Sequence, residues 1–235
     1  MRSRIGWALA TVFAGLLVSP SQGQVPVQAA LESLLQDGAG KPLLLANSRV
    51  RQEIKLTEDQ DNRIGKILNE AREKFEPEFR KAGLDRERLL KVGLESIQET
   101  RNRINKALPD ILKPNQLERL DQIQIQVNGI ISFKRTEVQE KLKLTLTQKL
   151  QILKIGTDLK QQMDDVIKDA SSAPLRRAPA AIQKSKELKN AATEKAVATL
   201  TSEQKKIWKE MNGEPFDFKL ELPLRLGRRL DRSGR

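Results

Sequence analysis

LTSEQKKIWKEMNGEPF, Leu200–Phe216, opens with five residues that echo LTEDQ at Leu56–Gln60. Looser versions stand between them, LKPNQ from Leu112 and LTLTQ from Leu144. Threonine is a good helix N-cap, because its hydroxyl accepts from a first-turn N–H. A glutamine three positions later returns a side-chain bond to the cap's own N–H, which completes a capping box. Thr57 with Gln60, Thr145 with Gln148, and Thr201 with Gln204 fit this in full. At the second site Lys113 is a poor cap, but Pro114 falls at the favoured first helical position and Leu112 is placed to staple to Leu117. Each motif therefore predicts a helix start. Leu56, Leu144 and Leu200 lack an apolar residue five positions on, so they are expected to pack against other helices.

The motifs come in pairs. Leu56 and Leu112 are 56 residues apart, and so are Leu144 and Leu200. The lead-in repeats as well: VRQEIKLTEDQ begins at Val50 and VQEKLKLTLTQ at Val138, a period of 88 residues. At that offset Ile54 faces Leu142, Ile64 faces Ile152 and Ile67 faces Ile155. The second members, from Leu112 and Leu200, both run through an apolar stripe to Asn-Gly and then Phe, at Asn128-Gly129 with Phe133 and at Asn212-Gly213 with Phe216. The first of these runs is longer by four residues, about one helical turn. A tandem duplication follows, with units over residues 49–135 and 136–218.

Apolar residues recur at i, i+3, i+4 and i+7 after each start, the period of an amphipathic helix. The stripe Ile64, Ile67, Leu68, Ala71, Phe75 and Phe79 is expected to kink or break at Pro77. Ile97, Ile104 and Leu108 lead toward Pro109; Leu117, Leu120, Ile123, Val127 and Ile130 follow Pro114. In the second unit Leu146, Leu150, Leu153, Ile155, Leu159, Met163, Val166 and Ile167 read as core, and so does Trp208 among Ile207 and Met211. SSAPLRRAPAA, Ser171–Ala181, reads as a flexible basic loop, with a helix from about Ile182 to Ala198 after it. The fold class is all-α: two tandem helical repeats of long amphipathic helices, with a disordered N-terminal leader and a basic C-terminal tail.

Composition agrees. Of 235 residues only 3% are aromatic, and there is no tyrosine, cysteine or histidine. Those absences remove disulfides, thiolate sites and the commonest general base and transition-metal ligands. Acidic groups such as Glu58-Asp59-x-Asp61 and Asp164-Asp165 sit in helix-type charge patterns and read as solvated faces or helix starts. No catalytic, cofactor-binding or metal-binding residue is proposed on these grounds.

Arg2 and Arg4 precede an apolar run from Ile5 to Val18, then Ser-Pro-Ser-Gln-Gly, the order of a secretory signal peptide over residues 1–23. A run that short falls below a bilayer span, so no integral span is expected after cleavage; residues 24–48 are expected to be a linker or short helix. The whole chain carries a net charge of +12, of which Arg2 and Arg4 supply two. For an exported protein this field suits acidic or unfolded polypeptides or anionic envelope components rather than nucleic acid. The tail, residues 219–235, carries Arg225, Arg228, Arg229, Arg232 and Arg235 against Asp231, either a solubilising end or an electrostatic tether.

With LTxxQ pairs on an exported, helical, highly charged chain, the sequence resembles the Spy/CpxP-like periplasmic family. Leu56, Thr57, Gln60, Leu144, Thr145, Gln148, Leu200, Thr201 and Gln204 carry the resemblance in full, and Leu112 and Gln116 in part. It implies a small all-helical periplasmic or secreted protein that acts as an ATP-independent chaperone or as an envelope stress or metal sensor. Two departures stand out: the chain is about twice the length the resemblance implies, and it lacks the histidines of metal-sensing relatives. The expected function is chaperone-like holding of nonnative or acidic partners, without a cofactor. The alternatives are a structural, envelope-associated helical protein and a regulatory sensor domain.

Overall fold

The computed structural model describes residues 40–83, 85–171 and 174–219. Residues 1–39 and 220–235, which include the expected leader and the five tail arginines, lie outside that range. Among the described residues there are nine α-helices, one 3-10 helix and no strand. In chain order they are α1 (Lys41–Ala46), α2 (Ser48–Glu53), α3 (Glu58–Ala82), α4 (Arg86–Ile111), α5 (Pro114–Asn128), the 3-10 helix (Gly129–Lys134), α6 (Thr136–Lys141), α7 (Leu146–Ser171), α8 (Pro174–Ala198) and α9 (Ser202–Asn212).

The start of every element in the first half recurs 88 residues later: Lys41 and Gly129, Ser48 and Thr136, Glu58 and Leu146, Arg86 and Pro174, Pro114 and Ser202. Each unit is thus a short lead-in, a short helix, a long antiparallel hairpin (α3–α4 or α7–α8) and a closing helix. The correspondence begins upstream of the motif. α1 and the 3-10 helix are its first members, and α1 buries Leu44 and Leu45 completely.

The motif glutamines explain the 56-residue spacing. Gln60 and Gln116 face each other and exchange amide hydrogen bonds, Nε2 to Oε1, at 2.8 and 3.0 Å. Each Oε1 also accepts from the N–H of its own cap residue, Thr57 or Lys113. Gln60 Nε2 donates its remaining bond to the Ile111 carbonyl, and Gln116 Nε2 to those of Ile54 and Lys55. Gln148 and Gln204 repeat this at 2.7 and 3.0 Å, with the Thr199 carbonyl on one side and the Leu142 and Lys143 carbonyls on the other. All four glutamines are buried, and every amide valence is filled, the condition under which a buried polar group does not cost stability. Thr57, Thr145 and Thr201 complete full capping boxes. Lys113 has no side-chain acceptor, so half a box remains there and Pro114 supplies the start.

The motif leucines follow from the turn before them. At the end of α2 the Lys55 N–H donates to Gln52 and the Leu56 N–H to Arg51; at the end of α6, Lys143 donates to Glu140 and Leu144 to Gln139. This is a Schellman motif, which puts its C′ residue in the left-handed region. Lys55 (φ 51°) and Lys143 (φ 49°) stand where glycine is favoured. Leu56 and Leu144 take the apolar position that follows and turn into the core.

There are two apolar centres. One is built from α1–α5 around Leu44, Ile64, Ile104, Leu108, Leu120 and Ile123, with Leu112 buried and Leu117 beside it. The other lies around Phe133, Val138, Leu142, Ile152, Leu159, Ala196 and Trp208. Three expectations change. α3 passes through Pro77 without a break, because Pro77 lies on the solvent side while Phe75 and Ala82 remain buried. The loop expected over Ser171–Ala181 is largely helix: α8 begins at Pro174, a first-position proline that needs no N–H, and only residues 172–173 separate it from α7. The α7 stripe divides, with Ile152, Leu159 and Met163 buried but Leu146, Leu150 and Leu153 exposed.

Replacing Gln60 or Gln148 by alanine strands a cap N–H, a carbonyl and the partner amide, and is expected to cost roughly 2–4 kcal/mol, read as a shift of the urea unfolding midpoint. Lys143→Gly relieves the left-handed strain and is expected to gain about 0.5–1 kcal/mol in the same experiment.

Candidate binding surface

Of the residues singled out by sequence, Gln60, Gln116, Gln148 and Gln204 are sealed inside the protein, and the leucines and threonines of the motifs serve turns and helix starts. The motif is therefore scaffold, and a binding surface lies elsewhere.

The chain crosses between the repeats after α5, and after α9 it returns to the first. Past α5, the 3-10 helix carries Phe133 into the second core, where it stacks on Trp208 with ring centroids 4.4 Å apart and planes at 19°. Past α9, Phe216 and Phe218 pack against the first core. Both crossings start at a left-handed glycine under close approach. A Cβ on Gly129 (φ 55°) would lie 2.4 Å from Thr193 Oγ1, and one on Gly213 (φ 61°) 2.0 Å from Gln122 Oε1. Polar bonds hold the seam: the Ile130 N–H donates to Thr193 Oγ1 at 2.9 Å, and Lys189 Nζ donates to the Val127 carbonyl at 2.6 Å. Lys189 thereby satisfies the C-terminal end of α5, and its burial, with Lys186 nearby, pulls its pKa below the ordinary lysine value. An open groove of about 490 Å³ follows the seam, with Gln126 and Gly129 on one side and Asn190, Thr193 and Trp208 on the other.

The surface feature that packing does not explain is on α7. Leu146, Leu150 and Leu153 are 73%, 57% and 60% exposed. At 100° per residue they fall within about 60° of arc and form one stripe over the first turns of the helix. Lys149 and Lys154 flank it, one on each edge, and Lys154 also pairs with Asp158 at 3.3 Å. The first repeat is an internal control. Its equivalent positions are Glu58 and Asn62, both exposed, and Gly65, which is buried. The same fold is thus built without this stripe, and the leucines are surplus to its packing. A second exposed aliphatic position is shared by both hairpins: Leu94 on α4 and Ile182 on α8, 88 residues apart, are 47% and 55% exposed.

Among the described residues no helix is long and apolar enough to cross a membrane, and no cluster of acidic side chains is arranged to hold a metal ion. Comparison with protein-family models, curated proteins and solved structures gave no match.

Periodicity alone did not separate the exposed leucines from core. Aligning the two repeats could have for Leu146 and Leu150, because a core position does not read Glu or Asn in its sibling. Gly213→Ala forces a Cβ toward the Gln122 side chain at positive φ and is expected to destabilise by roughly 1–3 kcal/mol, measured as a lower thermal midpoint.

Proposed function

We propose that the protein is an exported, ATP-independent, chaperone-like binding protein that holds nonnative or acidic polypeptides, the role its LTxxQ resemblance implies. The observation that carries this reading is the stripe Leu146, Leu150 and Leu153, exposed on the α7–α8 hairpin where the sibling repeat has Glu58, Asn62 and a buried Gly65. Exposed apolar surface that folding does not require marks a site of interaction. Three adjacent leucines accept any aliphatic or aromatic side chain, and lysines on both edges favour an acidic surround. Shape selectivity is low, as suits a client with no fixed structure.

A membrane surface is a poorer fit. On α7 the line of the stripe runs on to Asp164, which a helix lying flat on anionic lipid would press against like charge. A short polypeptide segment covers the first turns alone.

Aggregation of a denatured client, followed by light scattering, tests the reading. The protein is expected to suppress it near stoichiometric amounts and better at low salt than at high, since the charged rim is screened. Leu146→Glu, Leu150→Asn and Leu153→Ser together, which imitate the first repeat at two of the three positions, are expected to raise the amount needed by about fivefold or more while leaving the helical circular dichroism unchanged. No suppression by the unaltered protein at a large molar excess overturns the proposal.

A further inference from the structure

After α9 the chain does not stay with its own repeat. Residues 213–219 leave as a strap without regular structure and run back over the first repeat. Arg119 and Gln126 of α5 both donate to the Glu214 carbonyl at 2.8 Å. Gln126 Oε1 accepts from the Phe216 N–H at 2.8 Å, and its Nε2 also reaches the Asn212 carbonyl. Arg49 Nη1 donates to the Asp217 carbonyl at 3.0 Å, and Asn47 Nδ2 to that of Lys219 at 2.7 Å. Apart from the bond to Asn212, the last residue of α9, these bonds end on main-chain atoms of the strap. Of its side chains, Phe216 and Phe218 pack on the first core, and Asp217 pairs with Arg49 at 3.4 Å and with Lys219 at 3.3 Å.

We infer that the surface formed by Asn47, Arg49, Arg119 and Gln126 is a binding site for polypeptide without regular structure that carries aromatic residues at i and i+2, and that the strap, which turns at Phe216–Phe218 through a Phe218 N–H to Phe216 carbonyl bond of 3.1 Å, occupies it in cis as a displaceable stand-in for such a ligand.

Three features support an exchangeable site over a simple stitch. Recognition falls on the backbone, which any chain without regular structure presents, and on alternate aromatic side chains, which unfolded chains expose. The donors belong to helices that are anchored independently of the strap: Asn47 caps α2 by accepting from the Arg49 and Val50 N–H groups, and Arg119 pairs with Glu53 at 2.7 Å. The site is also built once. At the places of Asn47, Arg49 and Arg119 the second repeat has Arg135, Glu137 and Ile207, so the duplication by itself does not require it. A strap tethered at Gly213 is presented at an effective concentration on the order of millimolar. A free segment therefore competes only when the strap is weakened or the client offers several such segments.

The inference extends the reading of the protein as a holder of nonnative chains, and it places a second site apart from the α7 leucines. Its test uses the full-length protein and a fluorescein-labelled synthetic peptide with the sequence of residues 212–219, followed by fluorescence anisotropy. Phe216→Ala with Phe218→Ala in the protein weakens the strap and is expected to bind the peptide at least about tenfold more tightly than the unaltered chain does. The peptide with both phenylalanines replaced by alanine is expected to bind neither. Asp217→Lys, at an exposed position facing Arg49, opens the strap without touching the core. It is expected to give a gain of a few-fold, and it decides the matter if the double variant loses helicity. Equal affinity for the unaltered and opened proteins, or no binding by an opened variant that still unfolds cooperatively, overturns the inference. The leucine substitutions on α7 separate the two readings. Peptide binding without any suppression of aggregation leaves the groove standing and removes the holding function; suppression without peptide binding does the reverse.

Discussion

Two pairs of buried glutamines hold this protein in register. A glutamine amide has two donor and two acceptor valences, and burying one without partners costs several kcal/mol. Gln60 and Gln116 solve this by facing each other, each accepting from a cap N–H and donating to a carbonyl left over from a neighbouring turn. Gln148 and Gln204 do the same. The arrangement is satisfied only when the first and last helices of a repeat start side by side. It therefore fixes where the long hairpin between them must return. A hairpin of different length would bring the second glutamine to the wrong level and leave both amides unpaired, so the spacing within each repeat is constrained by hydrogen-bond valence as much as by apolar packing.

Between the repeats the logic changes from polar pairing to aromatic contacts at the two crossings. Phe133 completes the core of the second repeat, and Phe216 with Phe218 closes over the first. The two crossings are alike in plan and different in detail. The first is a 3-10 helix packed against a tryptophan; the second is an irregular strap held by side chains that reach for its backbone. Repeat 1 presents Leu120 at the position of Trp208 and Leu45 at that of Phe133, both fully buried, so an aliphatic pair stands where the second repeat has its aromatic stack. Divergence of the duplicated units thus produced one permanent joint and one that resembles a bound peptide.

Divergence also separated scaffold from surface. Where the repeats agree, the agreement follows the demands of the fold: Val50 with Val138, Ile64 with Ile152, the left-handed Lys55 with Lys143, and the four glutamines. Where they differ on an exposed face, the fold is indifferent. Leucines at 146 and 150 against Glu58 and Asn62 are such a difference, and Leu153 stands exposed where Gly65 is buried. The proposed holding role rests on that stripe, and the strap-filled site adds a second surface suited to the same kind of partner.

The sequence by itself determined the all-α class, the duplication, the helix starts and the core role of Trp208, because helix capping and the 3.6-residue period are local and leave their signature in neighbouring residues. It also showed the 56-residue spacing, but not its cause: an amide pair joins residues far apart in the chain, and no local rule connects them. The left-handed lysines carry no glycine to announce the turn. The helical α8 start was hidden by two prolines and a basic run that read locally as a loop, and its pairing with α7 along the hairpin overrides that local preference. Which leucines of α7 face water, and where residues 213–219 lie, depends on what the rest of the chain places beside them. Periodicity gives a helix its apolar face, but only tertiary packing decides whether that face is covered.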